Sequence, residues 1–378
     1  MESQYFSRSK TLAQALITAI CVVGLTGCGG FGASAMRNSR TDYNIALQRS
    51  NEEQLITNLV RLRYAQSPSF LEIEGITTQL SLSADASAGF EHERIDESGI
   101  TTSRLFSLGG SMEYSSSPTI TFTPLRGQEF LKQLLAPIEV EKIMLLYNSG
   151  WTLKRIFRLT IQSINGIPNA KRASGPTPEN APEFEQFDEV VELMRNLESR
   201  DLLDFVFETY KNRTAIALIL QPQAWNTPEA NMLAHLLGIQ PGESHYEVEY
   251  RNIQPEQKNQ KRTIMLETRS LLGVLFFLSQ NVKVPEDDVN KGVVRITLTE
   301  DAMPFDWSKV LSDIFTVKSA AAPPASPAVA VRYRDSWFYI EENDLESKAT
   351  LMLVSQLFAL QSEKSSAITP ILTLPVGR

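Results

Sequence analysis

Cysteine is nearly missing from this chain: of its 378 residues only Cys21 and Cys28 carry a thiol. Both lie at the start, so the roughly 350 residues that follow hold no disulfide, no thiolate zinc site and no cysteine nucleophile. A chain of that length buries a large core, and it must stand on packing alone. Histidine is almost as scarce. His92 lies in a charged stretch, His235 in an expected helix and His245 at the head of an expected strand, so no two have the spacing of ligands on one helix face. No metal and no cofactor is expected. Cations are outnumbered, 36 Lys and Arg against 44 Asp and Glu, for a formal charge of −8. That balance argues against nucleic acid and against a polybasic hold on anionic lipid.

Catalytic fingerprints are missing too. There is no Gly-x-Ser-x-Gly elbow, P-loop or dinucleotide motif, and a Ser-His-Asp arrangement would have to use His235 or His245, neither near a marked nucleophile. Asp287-Asp288 and Glu341-Glu342 are adjacent pairs, better suited to turns and caps than to shared chemistry. A carboxylate hydrolase, whose two acids can be far apart in sequence, would leave no such mark. The expectation is a protein that is not an enzyme.

What is present begins at the N-terminus. Arg8 and Lys10 precede an apolar run, Leu12 to Leu25, which is the order of a secretory signal. The run is shorter than the ~20 apolar residues of a spanning helix and contains Gln14 and Thr18. Leu25-Thr26-Gly27-Cys28 resembles the lipobox of bacterial lipoproteins, which makes Cys28 the expected first mature residue and the site of a covalent lipid, palmitate among its acyl chains. An ordinary secretory signal with an accidental cysteine is the plainer alternative. Acyl chains contribute roughly 0.8 kcal/mol per buried methylene, so several together give permanent attachment. Gly29 in place of Asp points, by the usual sorting rule of such lipoproteins, to the outer membrane with the protein facing the periplasm.

The expected class is α+β. Residues 1–27 read as signal peptide and 28–40 as tether. Residues 41–167 read as a helical region with β-structure over 70–123 that carries an amphipathic hairpin at 79–114, and 168–184 as a Pro/Gly-rich linker. An α+β domain at 185–319, an Ala/Pro loop at 320–328 and a closing hairpin, helix and strand at 329–378 complete the chain. Helices are expected from Asp42 to Tyr64, with Ser50 and Glu53 as a capping box for its second part, then over 128–135, 139–148, 152–165 and 185–197, after a cap at Thr227 with Pro228 in the first turn, and over 270–280 and 345–361. Strand pairs are expected around Lys211-Asn212-Arg213 and Asp335-Ser336. Single strands are expected near 245–252, 262–267, 293–299 and 368–376. Arg61 and Arg63 flank the apolar face of the first helix and read as solvated or ion-paired. Trp337 and Tyr339 share one strand face, Phe338 and Ile340 the other, with core packing on one side.

The longest regular pattern lies between Gln79 and Tyr114. Leu80, Leu82, Ala84, Ala86, Ala88 and Phe90 occupy one face of a first strand, and Phe106, Leu108, Gly110, Met112 and Tyr114 one face of a second, with serines and acids opposite. Centring the pairs on Glu91–Ser103 sets Leu80 against Tyr114, Leu82 against Met112, Ala84 against Gly110, Ala86 against Leu108 and Ala88 against Phe106. Each strand then has about the 9–11 residues of a tilted bilayer crossing. An ordinary hairpin with one face packed on a helix alternates in the same way. A single hairpin in lipid would leave backbone groups unpaired, so a membrane reading requires a closed ring of copies, similar in plan to the curli-secretion lipoprotein channel.

Several phrases resemble a family of uncharacterised bacterial lipoproteins: Asn58 to Tyr64, Ser117-Pro118-Thr119 leading to Pro124-Leu125, Gln162 to Gly166, Trp337 to Ile340, and Leu372 to Gly377. They run through most of the mature chain and bring no reaction or ligand with them. The sequence thus points to an outer-membrane lipoprotein that is a structural or transport component of a cell-envelope assembly, with self-association as a ring-forming pore subunit as the sharper version of that reading. The alternative is a periplasm-facing factor that docks a protein partner.

Overall fold

A computed structural model describes residues 31–91, 105–125, 127–210, 213–250 and 260–361. For 31–39, 74–91, 105–118, 209, 210, 213, 214 and 260 it describes the backbone course alone. The lipobox Leu25 to Cys28, His92 and the expected strand 368–376 lie outside the described residues. The fold is α+β, with ten α-helices and three sheets among the described residues. The chain divides into two units: residues 69–130, and the body formed by the rest.

The body opens with helix α1, Phe31–Arg63. Its second half is amphipathic: Leu55, Ile56, Leu59, Val60 and Leu62 are buried, and the helix packs on α7 (Leu271–Ser279) and β10 (Pro327–Tyr333). The expected break at Ser50 does not occur. Glu53 pairs with Arg49 at 2.9 Å and Glu52 accepts from Gln48 at 3.0 Å, so i,i+4 pairs carry the helix through where a capping box was expected. The helix also takes in most of the 28–40 segment that reads as a tether.

The main sheet has six strands in the order β4-β3-β8-β7-β6-β5: β3 Ile161–Ile164, β4 Ile167–Pro168, β5 Leu203–Tyr210, β6 Arg213–Leu220, β7 His245–Tyr250 and β8 Thr263–Thr268. Only β7 and β8 are parallel. Helix α4 (Leu153–Thr160) packs on α5 (Glu185–Glu198), and α5 on α6 (Pro228–Leu237). Thr227 caps α6, accepting from the Ala230 N–H at 3.3 Å, and Ser270 caps α7 through the Gly273 N–H at 3.0 Å. A small antiparallel sheet, β10-β11-β9, joins β9 (Lys318–Ala320) and β11 (Ser336–Glu341), and α10 (Leu345–Gln361) closes the described body. Asp344 caps α10, accepting from the Ser347 N–H at 3.0 Å.

Three expectations need correction. The helix expected over 152–165 ends at Thr160, and the chain turns through Asn165 and Gly166, both at positive φ, as an Asn-Gly hairpin between β3 and β4. No strand forms over 293–299, where isolated bridges of Leu298 to Asn180 and Pro304 replace a ladder. Residues 168–184 are no open linker: Asn169, Ala170, Ala173, Thr177 and Phe184 are buried in the same body as the segments on either side.

Candidate functional site

The second unit is a hairpin of two long strands, β1 (Leu71–Glu91) and β2 (Leu105–Pro124), followed by the start of helix α2 (Gln128–Leu135). The strands pair antiparallel from Leu71 opposite Pro124 to Glu91 opposite Leu105. They are 21 and 20 residues long and fill the β-structure expected over 70–123, running past the strict alternation of 79–114, because Thr119, Thr121 and Thr123 on one strand and Ile73 and Ile76 on the other continue the β-forming pattern. The register sets Leu82 opposite Tyr114, Ala84 opposite Met112, Ala86 opposite Gly110, Ala88 opposite Leu108 and Phe90 opposite Phe106, with Leu80 opposite Ser116. Each partner lies two positions from the expected one, because the connection is centred one residue later. A shift of two preserves the face, so the apolar positions still meet.

A bulge keeps that face in phase. Ile73 pairs with Phe122 and Gly75 with Thr121, which leaves Glu74 as an extra residue. Without it, positions 71 and 73 would fall on the serine and threonine face; with it they stand opposite Pro124 and Phe122. At this end of the hairpin, Leu71, Ile120 and Phe122 are 43%, 42% and 50% exposed. The base is closed by the Leu125 N–H donating to the Phe70 carbonyl at 3.0 Å and by an edge-to-face contact of Phe70 with Phe130.

A concave candidate in the body is a cleft of about 780 Å³. Segment 137–141, at the start of α3 (Val140–Asn148), forms one wall, with strands β5 to β7 opposite. Ile138, Val140, Ile216 and Val248 give it an apolar floor, and Glu139, Glu141, Glu208 and Glu247 an acidic rim. His245 Nε2 stands 3.0 Å from Glu208. The lining contains no hydroxyl or amine nucleophile apart from the Tyr250 phenol, and among the described residues no three His, Cys, Asp or Glu converge as a metal site would require.

Behind the cleft wall lies the most buried charge among the described residues. Arg269 is 1% exposed, and its guanidinium donates to the carbonyls of Arg158, Leu159 and Ile161 at 3.0, 3.2 and 2.9 Å, to Asn169 O and to Ser174 Oγ at 3.0 Å. It also lies 3.9 Å over the Phe277 ring. Two of these acceptors are last-turn carbonyls of α4, so a side chain 111 residues away caps that helix. Burial pulls Arg269 down to about 9, which still leaves it charged at neutral pH. Its own carbonyl accepts from the Ile138 N–H at 2.9 Å, tying the cleft wall to this hub.

A second polar cluster joins α4 to α5. Arg158 grips both oxygens of Asp313 at 2.9 and 2.7 Å and stands 3.1 Å from Asp188, while Lys154 reaches Glu192 at 2.5 Å and Asp313 at 2.9 Å. Burial pushes the Asp188 carboxyl up to about 6 against the pull of Arg158. Burial acts on Asp313 as well, but Arg158 and Lys154 outweigh it and hold that carboxyl below its usual range.

Three of the family-like phrases fall at joints of the body, while Ser117 to Leu125 belongs to the hairpin unit and Leu372 to Gly377 lies outside the described residues. Arg63, expected on a solvated edge, is buried, donating to Arg295 O at 2.7 Å and Thr177 Oγ1 at 3.3 Å. Arg61 instead closes the helix end through Ser67 O at 2.8 Å. Tyr64 donates to Asp288 at 2.5 Å and stacks near Tyr333 and Phe338; burial and that hydrogen bond push its phenol up. Asn165 clasps β8 and the end of α6, accepting from the Met265 N–H and donating to Leu237 O, both at 2.7 Å. Phe338 and Ile340 are core residues, with Trp337 and Tyr339 on the half-buried face, as the strand period requires. Among the described residues no helix is long and apolar enough to cross a membrane. Comparison with family models, curated proteins and solved structures finds no match to this chain.

Proposed function

We propose that this chain is an outer-membrane lipoprotein, anchored through lipid on Cys28 and facing mainly the periplasm. It acts without catalysis as a structural or transport component of a cell-envelope assembly. Its hairpin enters the bilayer as two strands of a closed ring of copies, each copy a pore subunit. The observation that carries this reading is the long, mainly apolar face along both strands, interrupted at Thr78 and Ser116, held in phase by the bulge at Glu74 and exposed where Leu71, Ile120 and Phe122 are described. A hairpin packed on its own body has no need of strands this long. In lipid, the unpaired edge groups of one hairpin would cost several kcal/mol each, which only closure with neighbouring copies removes.

The test uses the full lipidated chain in vesicles with an environment-sensitive probe on Ala86→Cys or Ser87→Cys. Quenching by lipid-borne quenchers at 86 and by aqueous quenchers at 87 is expected, together with rings in electron micrographs of detergent extracts. Equal aqueous access at both positions overturns the pore. A second reading, a periplasm-facing factor that docks a protein partner, draws on the exposed Leu131 and Leu135, one turn apart on α2, and Leu145 on α3. A monomer in mild detergent favours it.

A further inference from the structure

Three contacts fix the direction in which α10 delivers the chain. Arg155 donates to Thr350 Oγ1 at 2.7 Å, Trp151 to Gln356 at 2.8 Å and Lys142 to Gln361 at 2.9 Å. Residue numbers rise along α10 as they fall along 142–155, so the two run antiparallel and α10 points at segment 137–141. Gln361 also donates to the Gln133 carbonyl at 3.4 Å, and Lys142 is ion-paired to Glu139 on the cleft rim. The chain therefore leaves Gln361 within two side chains of the cleft.

The segment beyond Gln361 matches the cleft chemically. Residues 362–378 lie outside the described residues, but their sequence places Lys364 three positions on, and then the uncharged run Ile368-Thr369-Pro370-Ile371-Leu372-Thr373-Leu374-Pro375-Val376. Seven extended residues from Gln361 to Ile368 cover about 23 Å at roughly 3.3 Å each. That reach is available to bring the apolar run to the cleft, whose wall begins at segment 137–141 beside Lys142. Two prolines suit a segment that lies on a surface, since each removes a donor a sheet interior would need.

We propose that residues 368–376 dock into the cleft between segment 137–141 and strands β5 to β7 of their own chain, Ile371, Leu372 and Leu374 covering Ile216 and Val248 while Lys364 meets Glu139 and Glu141. The tail is a built-in occupant: a short tether keeps it at an effective concentration in the millimolar range, so an outside ligand must displace it.

The test uses the full chain. Ala215→Cys, at the half-buried cleft lining, is labelled with a maleimide alone and together with Ile371→Asp and Leu374→Asp. Labelling is expected to be about tenfold faster in the tail variant, as loss of a tethered occupant implies. Ser199→Cys, at an exposed helix end, is expected to react equally in both and reports that the body stays folded. In parallel, Ala215→Cys with Leu372→Cys is treated with a short bismaleimide. An intramolecular crosslink supports the docking. Equal labelling of Ala215→Cys with and without the aspartates, no crosslink, or a crosslink only between two copies each overturns it.

Discussion

Arg269 donates five hydrogen bonds and has no carboxylate among those acceptors, so its removal exposes a set of carbonyls rather than a counter-charge. Arg269→Met fits the space but leaves the end of α4 uncapped; a loss on the order of 3–5 kcal/mol is expected, read from the denaturant midpoint. Arg269→Lys should recover little of it, because an ammonium cannot span acceptors on α4 and on the turn after β4 at once. Asp188 makes a pH prediction. Its folded pKa, raised to about 6 from 3.8, means that the folded protein binds this proton more tightly than the unfolded chain. Stability from this group is therefore present at acid pH and declines as pH rises from about 4 to 6. Asp188→Asn should flatten that slope, removing a difference of roughly 1 to 3 kcal/mol between the ends of the window, read from urea midpoints across pH. Asp313, held low, acts with the opposite sign and loses its contribution as pH falls below the normal carboxylate range.

The hairpin's phase depends on one extra residue, which makes two deletions unequal. Removing Glu74 takes out the bulge and leaves Ile73 opposite Phe122, so a Ser81→Cys, Ser115→Cys disulfide across the ladder should still form. Removing Ser83 forces the residues before it onto the wrong face, and the same disulfide should be lost, as a mobility-shift gel would show. Elements of this kind were legible in the sequence because a period of two, a cap or a turn is written within a few residues. Thr227 and Ser270 marked α6 and α7, and the pairs around Lys211 and Asp335 marked β5–β6 and β10–β11. The extent and the faces of the hairpin were read in the same way, although its register was not. Features that could not be read locally were decided at long range. Gly166 ended no helix, because the chain had already become a strand pairing with β8 some hundred residues on. Residues 168–184 looked like a linker because the partners that bury them, among them Arg63 and Arg269, come from far away. The cleft, gathered from 137–141, 208–216 and 245–250, left no trace in any one segment.

At the scale of the whole molecule, α1 is the feature whose length asks for a reason. Its 33 residues extend about 50 Å at roughly 1.5 Å per residue, yet its buried face begins only at Leu55. The earlier two dozen residues, about 36 Å of helix, start three positions after Cys28 and bury none of their described side chains. Deleting residues 40–46, about two turns, keeps the helical face in phase and should leave the body's stability within about 0.5 kcal/mol. In vesicles it should change the depth at which a probe on Ala86→Cys is quenched; an unchanged depth would mean that α1 does not set the hairpin's position. The bulged strands are longer still. At roughly 3.3 Å per residue they extend close to 70 Å, of which a tilted crossing uses about 9–11 residues, leaving about 33 Å of ladder on the near side. For the proposed pore, that surplus ladder stands in water, where its edge groups are solvated, so neighbouring copies need to close the ring only over the few residues of each strand that lie in lipid.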